Sequence, residues 1–235
     1  MANAAERTTV AGPVFIRLLS RLAEPRPSAT GPVLAERLGQ WIDWSRAVAL
    51  STALDGRLPP AATQVPPFDE DEDAACIRTR ATLADAIATD PGFAVPPPGA
   101  MPEAGTDFAP FRARYLAHQR AMQAATGRLR GRLRDMLGRR SPALARLAEV
   151  DAVMEQTLSP REQALLASVP ALLGAHFERL RTAAGNGEAA SGTAPTAWLD
   201  TFRLDMRGVL LAELDVRFSP IEALLAALRT ADRTP

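Results

Sequence analysis

The sequence predicts an all-α protein, a multi-helix bundle of about seven or eight helices with no sheet, and three features carry that prediction. Ala (46 residues) and Leu (29) dominate the 235-residue chain, whereas the β-branched Val (11) and Ile (5) are scarce. This balance favours helix and starves a sheet. The 20 prolines collect in loop stretches and at helix starts, where a missing N–H costs little. Phe108, Phe111, Tyr115, His118, Met122, Thr126, Leu129, Leu133 and Leu137 recur every three or four residues, a spacing that holds them on one face of a long helix.

After a disordered tail over residues 1–11, a single helical domain spans 12–230. The first helix opens at Pro13 and runs to about Glu24, where Pro25 and Pro27 stop it. The second opens near Pro32 and continues to Leu54, with Gly56 as its C-terminal stop. A flexible proline-spaced connection near 57–72 leads to a third helix over about Asp73 to Thr89. The acids of FDEDED at its start face the positive end of the helix. They do not form a calcium loop, because Ala74 stands where the turn glycine belongs and Arg80 where a bidentate Glu belongs.

Residues 91–105 carry five prolines and three glycines and read as a flexible connection without regular structure. The fourth helix follows, capped by Thr106 or Asp107. Its roughly 30 residues make a rod of about 45 Å, which needs long partners. Ser141-Pro142 opens the fifth helix, to about Leu158. Ser159-Pro160 opens the sixth, which is kinked at Pro170 and ends near Arg181. A Gly/Ser-rich linker near 182–195 precedes a seventh helix to about Arg217, and Ser219-Pro220 opens a last short one ending near Leu228, before a disordered tail at 231–235. LAEVD…SPREQALLA (Leu147 to Ala167) and LAELD…SPIEALLA (Leu211 to Ala226) echo one another. In both, Ser and a Glu three residues on have the spacing of a capping box.

Absences exclude several function classes. All 27 basic residues are Arg, which removes lysine Schiff-base and pyridoxal chemistry and the P-loop. Cys76 is the single cysteine, so no internal disulfide forms, and Cys plus His supply too few ligands for a structural zinc site. No cofactor or metal is expected, and a reducing cytoplasm fits best. The longest nearly apolar run, Ala164 to Ala175, has 12 residues, short of the roughly 20 that span a bilayer. The N-terminal stretch lacks the basic-then-apolar order of a signal peptide.

Charge is balanced overall, 27 basic against 27 acidic residues, yet separated along the chain. Residues 111–147 hold ten Arg and one acid, and 61–110 two Arg and nine acids. Arg128, Arg130, Arg132, Arg134, Arg139 and Arg140 flank the apolar stripe of the fourth helix. They could bind an external anion, nucleic acid or an anionic membrane surface, or pair with acids of neighbouring helices. His118 and His176 have no second ligand at helical spacing, and no catalytic set can be assembled from spacing. Cys76, two residues from Arg78, reads as a small buried residue whose thiol the arginine could acidify. Leu34, Leu38, Trp41, Ser45 and Val48 share a helical face, so Trp41 is a core anchor. Trp44 lies at the margin, where with Arg46 it could form a partner-binding hot spot.

The segments AERLGQWIDWSRAVALSTALDG, LLASVPALLGAHFERLR and LLAELDVRFSPIEALLAALR resemble those of a proteobacterial family of uncharacterised proteins, domain of unknown function 3348. The resemblance covers most of the chain outside the linkers. It implies a helical fold and brings no activity, cofactor or catalytic residue with it. The sequence therefore leads to a cytoplasmic, non-enzymatic helical protein that binds another protein or itself. The alternative is binding of nucleic acid or an anionic membrane through the Arg-rich helix of residues 111–146.

Overall fold

In a computed structural model, residues 13–23, 43–58, 68–94, 107–187 and 197–232 are described, and every regular element among them is helical. Helix α1 spans Val14–Leu22, α2 Trp44–Asp55, α3 Glu70–Ala88, α4 Ala109–Arg140, α5 Pro142–Leu166, α6 Val169–Gly187 and α7 Ala197–Asp232. Helices α4 and α7 form the centre: α5 packs on α4, and α1, α3 and α6 pack on α7. Helix α2 lies against α5.

The stripe foreseen on α4 is the spine of the core. Phe111, Tyr115, Met122, Leu129, Leu133 and Leu137 are buried, and Gln119, Ala125 and Met136 join them. Phe111 and Phe202 meet edge to face at 5.2 Å between centroids, and Phe177 meets Phe202 at 5.0 Å and Trp198 at 5.1 Å. This aromatic cluster ties α4, α6 and α7 together at one end, in a geometry that aromatic pairs prefer.

Several helix boundaries differ from the sequence expectation, each for a local reason. Asp43 is an extended N-cap whose side chain accepts from the Arg46 N–H at 2.8 Å, so α2 starts afresh at Trp44 and is not the end of a helix running through from Pro32. A short carboxylate satisfies an orphan donor there better than one more helical residue would. The expected start at Pro32 and the anchor Trp41 lie outside the described residues. Asp69 caps α3 in the same way through the Glu72 N–H at 2.9 Å, so residues 70–72 belong to the helix and not to a linker. Pro91–Phe93 form a turn of 3-10 helix, and Phe93 is fully buried. The proline-rich stretch thus begins with an anchored turn. Phe108 is the N-cap of α4, and Asp107 supports it by accepting from the Ala109 N–H.

The two Ser-Pro sites were expected to open helices and instead lie inside them: Pro160 within α5 and Pro220 within α7. Neither capping box forms, and Ser219 donates to the Asp215 carbonyl. An interior proline costs about 3 kcal/mol. In α7 the buried positions run through it without interruption, from Leu210, Leu214 and Phe218 to Ile221, Leu225 and Leu228, and burial of that many large side chains outweighs one lost hydrogen bond. The real break falls at Ala167-Ser168, ahead of the expected kink. Pro170 then sits in the first turn of α6, where it costs nothing. Helix α6 continues to Gly187 and α7 to Asp232, beyond the ends expected at Arg181 and Leu228.

Candidate functional site

A carboxylate occupies the middle of the bundle. Glu213 of α7 is fully buried and accepts from the Tyr115 hydroxyl at 2.6 Å, from Gln119 Nε2 at 3.0 Å and from Arg217 Nε at 2.9 Å. Gln119 Nε2 also reaches the Leu166 carbonyl at 3.2 Å, which ties the end of α5 into the same network. Tyr115 and Gln119 are one turn apart on α4, and Glu213 and Arg217 one turn apart on α7, so two i, i+4 pairs meet face to face. Burial pushes the Tyr115 hydroxyl up, and the charge and hydrogen bond of Glu213 push it further. Tyr115 is held as a donor and Glu213 as an acceptor.

Three arginines of the Arg-rich helix are engaged by acids of other helices. Arg130 holds Asp151 with two hydrogen bonds, Nε at 2.8 Å and Nη2 at 2.7 Å. Arg134 reaches Glu155 at 2.5 Å and Asp151 at 3.4 Å. Burial opposes the Arg130 charge, but Asp151 and Glu155 outweigh it and hold the guanidinium above its ordinary value. Arg132 pairs with Glu72 of α3, joining the −7 acidic segment to the basic one. Arg128 and Arg139 are exposed, and among the described residues neither has a hydrogen bond or ion pair. Arg140 is also exposed and is partnered.

Two arginines outside the expected set cap helices. Arg146 of α5 donates to the carbonyls of Ala53 and Gly56, at 3.2 and 3.3 Å, and to that of Leu54. Arg179 of α6 donates to the Leu22 carbonyl of α1. Both satisfy C-terminal carbonyls that a helix leaves without partners, at its negative end.

Between α4, α5 and α7 a cleft of about 250 Å³ opens beside this network, with Arg130, Glu155, Glu162 and Arg217 among its lining. A second, more apolar groove of about 620 Å³ runs between α3 and α7, past Ile77 and Phe218, with Cys76 at its floor.

The family model described as protein of unknown function (DUF3348) matches residues 1–230. The chain belongs to this family. No curated protein and no solved structure matches it.

In this member of the family Trp44 is 83% exposed at the start of α2, with Val48 exposed one turn on and Arg46 half-buried between them. Ser45 and Val48, expected on a core-facing stripe, are both exposed. Each histidine has an Asp partner: His118 lies 2.8 Å from Asp90, and His176 lies 2.8 Å from Asp205. Cys76 is buried, and its thiol is pushed up by burial and by Glu72 and Asp73, against the pull of Arg132 and Arg229. The acidification that Arg78 could have supplied does not occur. Among the described residues no helix is long and apolar enough to cross a membrane, and no group of three or more His, Cys, Asp and Glu could hold a metal ion.

Sequence reasoning missed Glu213, Arg217 and Gln119. Glu213 does stand on the apolar stripe of α7, between Val209 and Val216, and an acid at a core position is the signal that could have found it.

Proposed function

We propose that this is a non-enzymatic protein-interaction module of the cytoplasm, and that it engages its partner through the outer face of α2. The observation that carries this reading is the exposure of Trp44, with Val48 on the same face. A large indole in water on a helix that a bundle already orders is the residue type that dominates binding energy at protein interfaces. Arg46, two residues on and half-buried, lies round the helix from the indole and borders the face that Trp44 and Val48 share. The Asp43 cap and the Arg146 clamp hold both ends of α2 rigid, which lowers the ordering cost of binding. The polyanion alternative has less support, because of the six arginines that flank the stripe Arg130, Arg132 and Arg134 are committed to carboxylates and Arg140 is partnered, which leaves Arg128 and Arg139 of that set.

Affinity purification from the native host, with wild type and Trp44→Ala in parallel, tests the reading. A partner, or a second copy of the chain, should be retained by wild type and lost from the variant at unchanged melting temperature. Identical recoveries, or a monomeric wild type that retains nothing, would refute it.

A further inference from the structure

We propose that the cleft between α4, α5 and α7 binds a small zwitterion of amino-acid size, its carboxylate on Arg217 and its ammonium on Glu162. This is a ligand function separate from the partner face on α2.

The wall that α5 contributes is polar where a bundle helix would ordinarily bury apolar groups. Glu155, Ser159 and Glu162 follow one another at i, i+4 and i+7 and all line the cleft. Opposite them, Arg217 is nearly buried, and its Nε and Nη2 are both taken by Glu213, at 2.9 and 2.8 Å. Its remaining terminal nitrogen, Nη1, lies 3.8 Å from Glu162 Oε1, too long for a hydrogen bond. Arg130 repeats the pattern: Nε and Nη2 hold Asp151, and Nη1 stands 3.5 Å from Glu155 Oε1. Each guanidinium is thus oriented by a carboxylate along one edge and turns its Nη1 toward a second acid across the cleft; Glu155 is held besides by Arg134 at 2.5 Å, so the pair left long is Arg217 with Glu162. Glu162 itself is 42% exposed at the rim.

These two pairs select the ligand by charge. An anion on Arg217 would face Glu155 and Glu162, and a cation on Glu162 would face Arg130 and Arg217. A zwitterion lying in the cleft alongside Arg217 and Glu162 bridges this long ion pair, adds two charge-assisted hydrogen bonds and leaves the local charge unchanged. The space fits such a molecule, since about 250 Å³ is the share of roughly eight liquid waters at about 30 Å³ each. Pro220 has no N–H, so the Val216 carbonyl lacks its helical partner, and both residues line the cleft. Gly127 gives the α4 wall no side chain, and a Cβ there would meet no heavy atom within 4 Å.

Isothermal titration calorimetry of the full chain with each of the twenty free α-amino acids tests this, with the amine and the carboxylic acid that share the best binder's side chain as controls. At least one amino acid should bind at millimolar concentration or below, and its two single-charge controls should bind about tenfold or more weakly. Glu162→Gln, which removes one charge at the rim, and Gly127→Leu, which fills the cleft, should each weaken it by a similar factor with helicity unchanged. Absence of binding by all twenty, equal binding of a single-charge control, or affinity untouched by Glu162→Gln would overturn the proposal.

Discussion

Tyr115 and Glu213 stand 98 residues apart in the chain and share a 2.6 Å hydrogen bond in the middle of the bundle, with neither side chain reaching water. That bond joins the two central helices, and it needs both partners. A buried carboxylate is tolerable only while its lone pairs are met. Tyr115→Phe should lower stability by about 1–3 kcal/mol, because Gln119 and Arg217 still serve Glu213. Arg217→Ala, which strands a buried charge, should cost about 3–5 kcal/mol. Chemical denaturation of the two variants should give that order.

The spine of α4 allows a comparison of two neighbours. Leu133 is fully buried, whereas the Arg132 side chain is 51% exposed and pairs with Glu72. Leu133→Ala should destabilise the fold by roughly 2–5 kcal/mol and Arg132→Ala by less than about 1 kcal/mol. Thermal melting distinguishes them.

Stability should fall at both extremes of pH for separate reasons. Burial acts to raise the Asp90 carboxyl, but the His118 hydrogen bond, the Gly92 N–H and Arg114 outweigh it and hold it below the usual carboxylate value. A carboxyl depressed in the folded state stabilises above its unfolded pKa of about 3.9, and that contribution is lost as pH falls through the folded value. Asp90→Asn should flatten the acid limb of a stability profile. Tyr115 is shifted upward, so its contribution is complete below an unfolded pKa of about 10 and declines above it. Tyr115→Phe should remove that alkaline slope.

Arg146 holds the C-terminal end of α2 by three carbonyls. Arg146→Ala should leave the rest of the bundle folded and raise amide exchange across Trp44–Asp55. Arg146→Lys should rescue poorly, because a compact ammonium does not reproduce the planar fork of donors.

Two glycines should respond oppositely to alanine. A Cβ on Gly92 would collide with the Arg114 side chain, which bonds Asp90 at 2.7 Å, so Gly92→Ala should displace that arginine and lower the melting temperature. A Cβ on Gly127 meets nothing within 4 Å, and Gly127→Ala should stabilise by about 0.5–1 kcal/mol through helix propensity.

The helical class, the buried face of α4 and the Ser141 cap of α5, whose Oγ accepts from the Leu144 N–H, were all legible from residue order. Composition, the 3.6-residue period and capping chemistry act over one or two turns, within reach of local reasoning. The Ser-Pro sites carried the same local signal and were decided otherwise. Pro220 stays inside α7 because Phe218 and Ile221 on either side of it are buried by α7's neighbours, a gain no local rule contains. The candidate site lay further out of reach. Tyr115 reads as a member of the apolar stripe, and Gln119, Glu213 and Arg217 as separate polar residues on ordinary helices; only the packing of α4 against α7 turns them into one network. The fate of Arg130 and Arg134 was settled in the same way, by Asp151 and Glu155 on α5. Charge partners and buried polar groups depend on which helices meet and in what register, and that choice belongs to the burial of whole faces across the chain.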